Sequence, residues 1–194
     1  EAAGNTMIVA VIATEISVVI AVAAALVLVR EARFKGAGAS KALISMPLVV
    51  PEIVTAVATL MFFVMLKNWI GFDLGLGNIV IAHSVFCIPC AFMPIRARLQ
   101  DMDVAFEQAA RDLYADGWTA FRKVTWPLSL PGVVAGSILV FIPTLGAYVT
   151  PAILGGAKTT LAGDYIVSQF LAARNQPFGS ALSMGMMLIM LAVT

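Results

Sequence analysis

The chain has 194 residues, of which 61% are hydrophobic and 12% charged. Soluble domains are usually about 45–50% apolar, so this composition, with a mean hydropathy of +0.97, excludes a soluble domain and calls for a bilayer. The net charge of +1 carries little information; where the charges lie carries more.

Residues 7–29 and 42–66 are the first two apolar runs, each long enough for a helix rising about 1.5 Å per residue to cross about 30 Å of hydrocarbon. Each run holds one carboxylate. Counted along a continuous helix, Glu15 and Glu52 both fall near the midplane, where a charge costs about 2.5 kcal/mol or more and must face the bundle interior, a water path or a partner. Two readings are open for each: a pathway group that eases passage of a cation, or one end of an interhelical hydrogen bond. Pro47 and Pro51 lack N–H groups and predict a kink beside Glu52.

Arg30, Arg33, Lys35 and Lys41 lie between the first and second runs, and Arg96, Arg98, Arg111, Arg122 and Lys123 between the third and fourth. The alternate loops hold only Lys67, Lys158 and Arg174, so the positive-inside rule predicts that the basic loops are cytoplasmic and the amino terminus faces outward. The chain opens on Glu1 with no signal pattern and ends at Thr194 within an apolar run. Those ends predict a fragment of a longer chain with an earlier membrane helix and a cytoplasmic tail.

Residues 67–78, with Gly71, Gly75 and Gly77, read as an outer loop, and Trp69 fits the interfacial belt. The third span, 79–95, is at the short limit. It carries His83, read as a hydrogen-bonded membrane histidine because no second His exists to build a metal site. Cys87 and Cys90 are read as small buried residues on one helix face.

Residues 96–131 are a polar, helix-forming insert. Asp101 or Asp103 is available as an N-cap, and Phe106, Ala109, Ala110 and Leu113 recur at i, i+3, i+4, i+7 beside Glu107, Arg111 and Asp112. Gly117 is expected to break this helix. Trp118, Phe121 and Val124 then line a second helical face until Pro127 and Pro131. Such a pair of short helices either docks a soluble partner or lies on lipid headgroups. The fourth span, 132–154, is interrupted by Pro143 and Pro151, and Tyr148 within it either packs or offers a cation–π face to an amine. No Walker-type sequence follows Gly155-Gly156, so these glycines make no phosphate cradle. Tyr165, Ile166, Phe170 and Leu171 predict a short interfacial helix within 164–178, ahead of a fifth span at 178–194.

The insert resembles the cytoplasmic signature of permease subunits of binding-protein-dependent ABC importers: Glu-Ala-Ala, three residues, Gly, nine residues, Ile, one residue, Leu-Pro. With Pro127 on the final proline, Val124 falls on the Ile, Trp126 on the Leu, Tyr114 on the Gly and Gln108-Ala109-Ala110 on Glu-Ala-Ala. Gln108 replaces the acid, with Glu107 beside it, and Tyr114 replaces a helix-ending Gly at a cost of roughly 1 kcal/mol unless Gly117 moves the turn. The runs Met46-Pro47-Leu48-Val49-Val50-Pro51-Glu52 and Leu145-Gly146-Ala147-Tyr148-Val149-Thr150-Pro151 are similar to the two paired permease types of the spermidine/putrescine branch.

The resemblance implies an all-α membrane protein with the five-helix core of a type I importer and a cytoplasmic coupling insert, in a bacterial cytoplasmic membrane. It implies ATPase subunits that carry ATP and Mg, a second permease subunit of the same or a different kind, and an extracytoplasmic substrate-binding protein. The expected function is a substrate pathway for a small solute, a polyamine above all, with no catalytic residue, cofactor, metal or nucleic acid of its own. The coupling residues carried over are Glu107, Gln108, Ala109, Ala110, Tyr114, Gly117 and Pro127; the pathway candidates are Glu52, Glu15 and Tyr148. Two other classes stay open: an ion-coupled secondary transporter using Glu15 and Glu52, and a membrane thiol oxidoreductase using Cys87 and Cys90.

Overall fold

A computed structural model describes residues 1–30, 36–71, 75–155 and 159–193, all in helices and their connections. Arg33, Lys35, Gly156 and Lys158 lie outside the described residues. Four helices are long and apolar enough to cross a membrane: α1 (Ala2–Arg30), α3 (Glu52–Ile70), α4 (Leu76–Asp101) and the continuous run Gly117–Gly146. A fifth helix, α10 (Gln176–Val193), is apolar and shorter. The insert and the second span contribute α2 (Ala37–Ser45), α5 (Ala105–Asp112) and α6 (Gly117–Ala120), and the run from α6 continues as α7 (Trp126–Gly146). Two short helices, α8 (Val149–Leu154) and α9 (Ala162–Leu171), lead to α10.

The core is the packing of α1, α4 and α7, and small residues make it possible. Ala10, Ala13, Ala21 and Ala25 bury one face of α1 completely. On that face the Ser17 hydroxyl reaches the carbonyls of Ala13 and Ser84, at 2.7 and 2.8 Å, joining α1 to α4. On α7, Gly132 and Gly136 stand one turn apart against α4. A Cβ at Gly132 would lie 2.7 Å from the Arg98 Cβ and 3.0 Å from the Pro94 carbonyl oxygen, and one at Gly136 3.0 Å from the Ala91 carbonyl oxygen. Lipid offers helices no hydrophobic drive to associate, so this close backbone approach supplies the packing attraction.

Several expected boundaries move for identifiable reasons. The span expected over 42–66 is not one helix: α2 ends in a 3-10 turn at Met46–Leu48 and α3 begins only at Glu52, with Pro51 as its N-cap. Pro51 has no N–H to continue the ladder and disfavours helix at Val50, so the expected kink is a full break. The fourth span breaks between Gly146 and Val149 rather than at its prolines. Pro143 lies inside α7, and Pro151 falls in the first turn of α8, where a missing N–H is harmless. Pro127 and Pro131 do not end the second insert helix either. A π-turn at Phe121–Thr125 widens the spiral there, and the helix runs on through both prolines.

Gly136→Leu should lower stability by about 1–3 kcal/mol through overpacking against Ala91. Gly38→Ala, in α2 with open space around its Cβ, should raise stability by up to about 1 kcal/mol. Unfolding in mixed micelles measures both, and equal effects would contradict the close α4–α7 contact.

Candidate functional site

In the insert, Asp103 rather than Asp101 opens the first helix: its carboxylate accepts the Ala105 N–H at 2.9 Å. The apolar stripe of α5 then faces away from the rest of the chain. Phe106 is 56% and Leu113 81% exposed, Ala109 is exposed beside them, and Trp118 follows at 67%. Gln108 is exposed, and Ala110 is half-buried.

Glu107 of the same helix points inward, whereas Arg111 and Asp112 at its end are exposed. Glu107 Oε1 accepts hydrogen bonds from Arg30 Nε and Thr125 Oγ1, each at 3.0 Å, and lies 2.9 Å from Arg30 Nη2. This one oxygen ties the end of α1, the insert and the π-turn before α7 together. Glu107 therefore does not stand in for the missing acid at Gln108; it is part of the insert's foundation. The contact also puts the end of α1 and the insert at the same side of the bundle, as the basic residues of both loops predicted.

Tyr114 takes the left-handed conformation expected of a glycine, with φ of 60°, and its side chain is 99% exposed. Tyr114 N–H donates to the Arg111 carbonyl at 2.9 Å and Ala115 N–H to the Ala110 carbonyl at 3.0 Å, the paired bonds of a Schellman helix end. The turn thus stays at 114, and the alternative in which Gly117 moves it is overturned. Gly117 is the first residue of α6, and Asp116 caps that helix by accepting the Thr119 N–H at 3.2 Å. Hydrogen bonding from the Thr119 side chain, then from its backbone, holds the Asp116 carboxyl below its ordinary range.

The second candidate is a cavity of about 320 Å³ lined by the helix break before α3, by α4, and by the break between α7 and α8. Glu52, His83, Tyr148 and Thr150 all line it, with Phe86 and Cys87. The breaks are what open it: at membrane depth, non-helical backbone persists only inside protein or around a cavity. Thr150 Oγ1 donates to Glu52 Oε1 at 2.9 Å, holding α8 to the first residue of α3. His83 Nδ1 lies 3.1 Å from the Ile79 carbonyl. A carbonyl only accepts, so Nδ1 is the donor in this contact.

The structure brings Glu52 and Tyr148 together and leaves Glu15 elsewhere, on the exposed face of α1 among Ile12, Ile16 and Val19. The break before Glu52 also removes the continuous helix on which its depth was counted. Sequence reasoning missed Thr150, and it assigned Arg30 only to the charge bias and Thr125 to nothing. A hydroxyl beside a proline carries no sequence signal for a partner 98 positions away. Both cysteines are free; Cys90 packs against the α1–α4–α7 core, while Cys87 reaches the cavity wall.

The helices are thus interrupted around one cavity, and the insert is fastened to the end of α1. Residues 17–194 match the model of the binding-protein-dependent transport system inner membrane component family, and the chain belongs to that family. It is 38% identical over 112 residues to the spermidine/putrescine transport system permease protein PotB of Haemophilus influenzae, covering 58% of this chain and 39% of that protein. It is 33% identical over 161 residues to the putrescine transport system permease protein PotI of Escherichia coli K12, covering 82% of this chain and 57% of PotI. The chain thus spans roughly half the length of these relatives. The fold matches a solved structure of the MetNI methionine ABC transporter in an inward-facing conformation, with a TM-score of 0.77, 18% identity, and coverage of 97% of this chain and 88% of that one.

Two outcomes test this geometry. Tyr114→Gly should raise stability by up to about 1 kcal/mol by relieving the left-handed strain, and Tyr114→Val should lower it. A stabilising Tyr114→Val would contradict the observed turn. For the tether, a double-mutant cycle of Arg30→Gln and Glu107→Gln in denaturant unfolding should give a coupling of about 1–3 kcal/mol. Additive single effects would show that the contact is inert.

Proposed function

We propose that this chain forms half of the solute pathway of an ATP-driven importer, and that the outer face of α5 and α6 docks its ATPase subunit. The observation that carries this reading is the orientation of α5, with Glu107 turned in to Arg30 and the apolar stripe turned out. A stripe of Phe106, Ala109 and Leu113 with Trp118 nearby supplies an aromatic anchor and a small residue for close approach, the features of interface centres.

ATP and Mg would be held by the partner ATPase; this chain performs no bond chemistry. A second permease subunit would close the pathway over the cavity, and an extracytoplasmic binding protein would deliver the solute. Closure of the ATPases would shift α5, and the Glu107 tether would pass that shift to α1 and α7. Such coupling requires that the insert contact the ATPase differently in its two states. Glu52 and Tyr148, on one cavity wall, are the pathway groups that fit a cationic solute, and the names of the relatives point to a polyamine. Carrier action by Glu15 with Glu52 is disfavoured because the two line no common cavity.

The test is putrescine-stimulated ATPase activity of the full-length complex reconstituted in vesicles, with Phe106→Asp and Leu113→Asp together. Both side chains are exposed, so the variant should keep its thermal stability while stimulation falls by about tenfold or more, as for loss of interface hot spots. Undiminished stimulation, with weaker adhesion of the insert to anionic lipid, would assign the stripe to headgroups instead.

A further inference from the structure

Where the insert passes into α7, two cations, a row of aromatic rings and a bare apolar helix face follow one another along the chain. We infer that the face formed by Phe121, Arg122, Lys123 and Trp126 seats the headgroup of an anionic phospholipid, fastening the insert to the inner membrane surface. The site is separate from the cavity at Glu52 and does not depend on which solute is carried.

The π-turn sets the geometry. Its wide spiral lets the Trp126 N–H donate to the Phe121 carbonyl, so Phe121 rather than Arg122 lies one turn before Trp126 on the same face. The two rings are 6.2 Å apart, centre to centre, and Trp118 continues the row 5.6 Å from Phe121. Arg122 and Lys123 flank this row, and both are exposed. In the other direction, Leu130 and Val134 follow Trp126 at steps of one helical turn and are 40% and 55% exposed, as on a helix facing hydrocarbon. A Trp at such a junction marks the headgroup level. The two cations therefore stand at the depth of lipid phosphates.

Their charge is unspent. Among the described residues neither Arg122 nor Lys123 forms an ion pair. Glu107, which reaches the same turn at Thr125, is committed to Arg30, and Asp116 caps α6. The guanidinium fork of Arg122 suits two oxygens of a phosphodiester, and the Lys123 ammonium adds a point charge. Each basic residue near an anionic membrane surface raises affinity by about fivefold. An acidic protein surface or a free phosphate would also meet the cations, but either would leave the stripe from Trp126 to Val134 uncovered. A phospholipid covers both, with its phosphate on Arg122 and its acyl chain along α7.

Occupancy bears on the tether. Thr125 lies in the same turn and donates to Glu107 at 3.0 Å, so a lipid that holds this turn at the membrane surface gives the contact between α5 and α1 a fixed end.

The test uses the full-length complex reconstituted with phosphatidylglycerol or phosphatidylcholine of identical acyl chains, each carrying a diazirine near the glycerol. After photolysis, adducts on the peptide holding Trp126 and Leu130 are measured by mass spectrometry. Phosphatidylglycerol should label it about tenfold more than phosphatidylcholine, as two cations acting together require. Arg122→Gln with Lys123→Gln should bring the ratio near one while labelling of α10 stays unchanged, and Arg122→Lys should keep most of the preference. Excess inorganic phosphate should leave the ratio unaltered. Equal labelling by the two lipids, a preference that survives the double variant, or a preference lost to inorganic phosphate would overturn the assignment. So would release of the ATPase subunit by the double variant with the lipid ratio intact, which would give the cations to a protein interface. Phe106→Asp with Leu113→Asp should not change the ratio, so this site and the docking face fail separately.

Discussion

In hydrocarbon, every backbone N–H and C=O must find a partner inside the protein, and the arrangement of this chain follows from that constraint. Helix is the default solution, and each interruption has to be sheltered. The interruptions at 49–51 and 147–148 border the same cavity, which Glu52, Thr150 and His83 also line. Breaks and cavity thus explain each other: Pro51 forces the first break, and the packed wall of α4 shelters both. The α1–α4–α7 core provides the fixed frame, with Gly132, Gly136 and the alanines of α1 allowing the helices to approach.

At the other end of the bundle the same logic is turned inside out. A surface helix ordinarily buries its apolar stripe and exposes its charges. The insert exposes Phe106 and Leu113 and buries Glu107 in a charge-assisted network with Arg30 and Thr125. The arrangement ties one side of α5 to α1 and leaves its apolar side open, and the strained turn at Tyr114 marks where α5 ends and the chain turns toward α6.

Composition and run lengths made the membrane class legible, because burying polar backbone in lipid leaves few options; of the five runs read as spans, four correspond to helices long and apolar enough to cross among the described residues. The signature spacing put Tyr114 at a helix-ending position, and the structure has the left-handed turn there. Illegible were the details that depend on three-dimensional pairing. Hydropathy averages over Pro51 and joined α2 to α3, although the proline chemistry pointed to an irregularity there. The orientation of α5 was readable only as a period, not as a direction, so the inward contact of Glu107 with Arg30 on α1 carried no sequence signal. Likewise, Glu15 and Glu52 looked equivalent by depth along a helix, yet only Glu52 reaches the cavity.

The central claim is that the insert drives the spans through the carboxylate of Glu107. Its most direct test is ATP-driven putrescine uptake into vesicles by the full-length complex carrying Arg30→Glu, Glu107→Arg, or both. Each single reversal should lower uptake by about tenfold or more, since it places like charges side by side, and the exchanged pair should recover most of the loss. Uptake at the original rate with either single reversal, or no recovery in the correctly inserted double variant, would contradict the account.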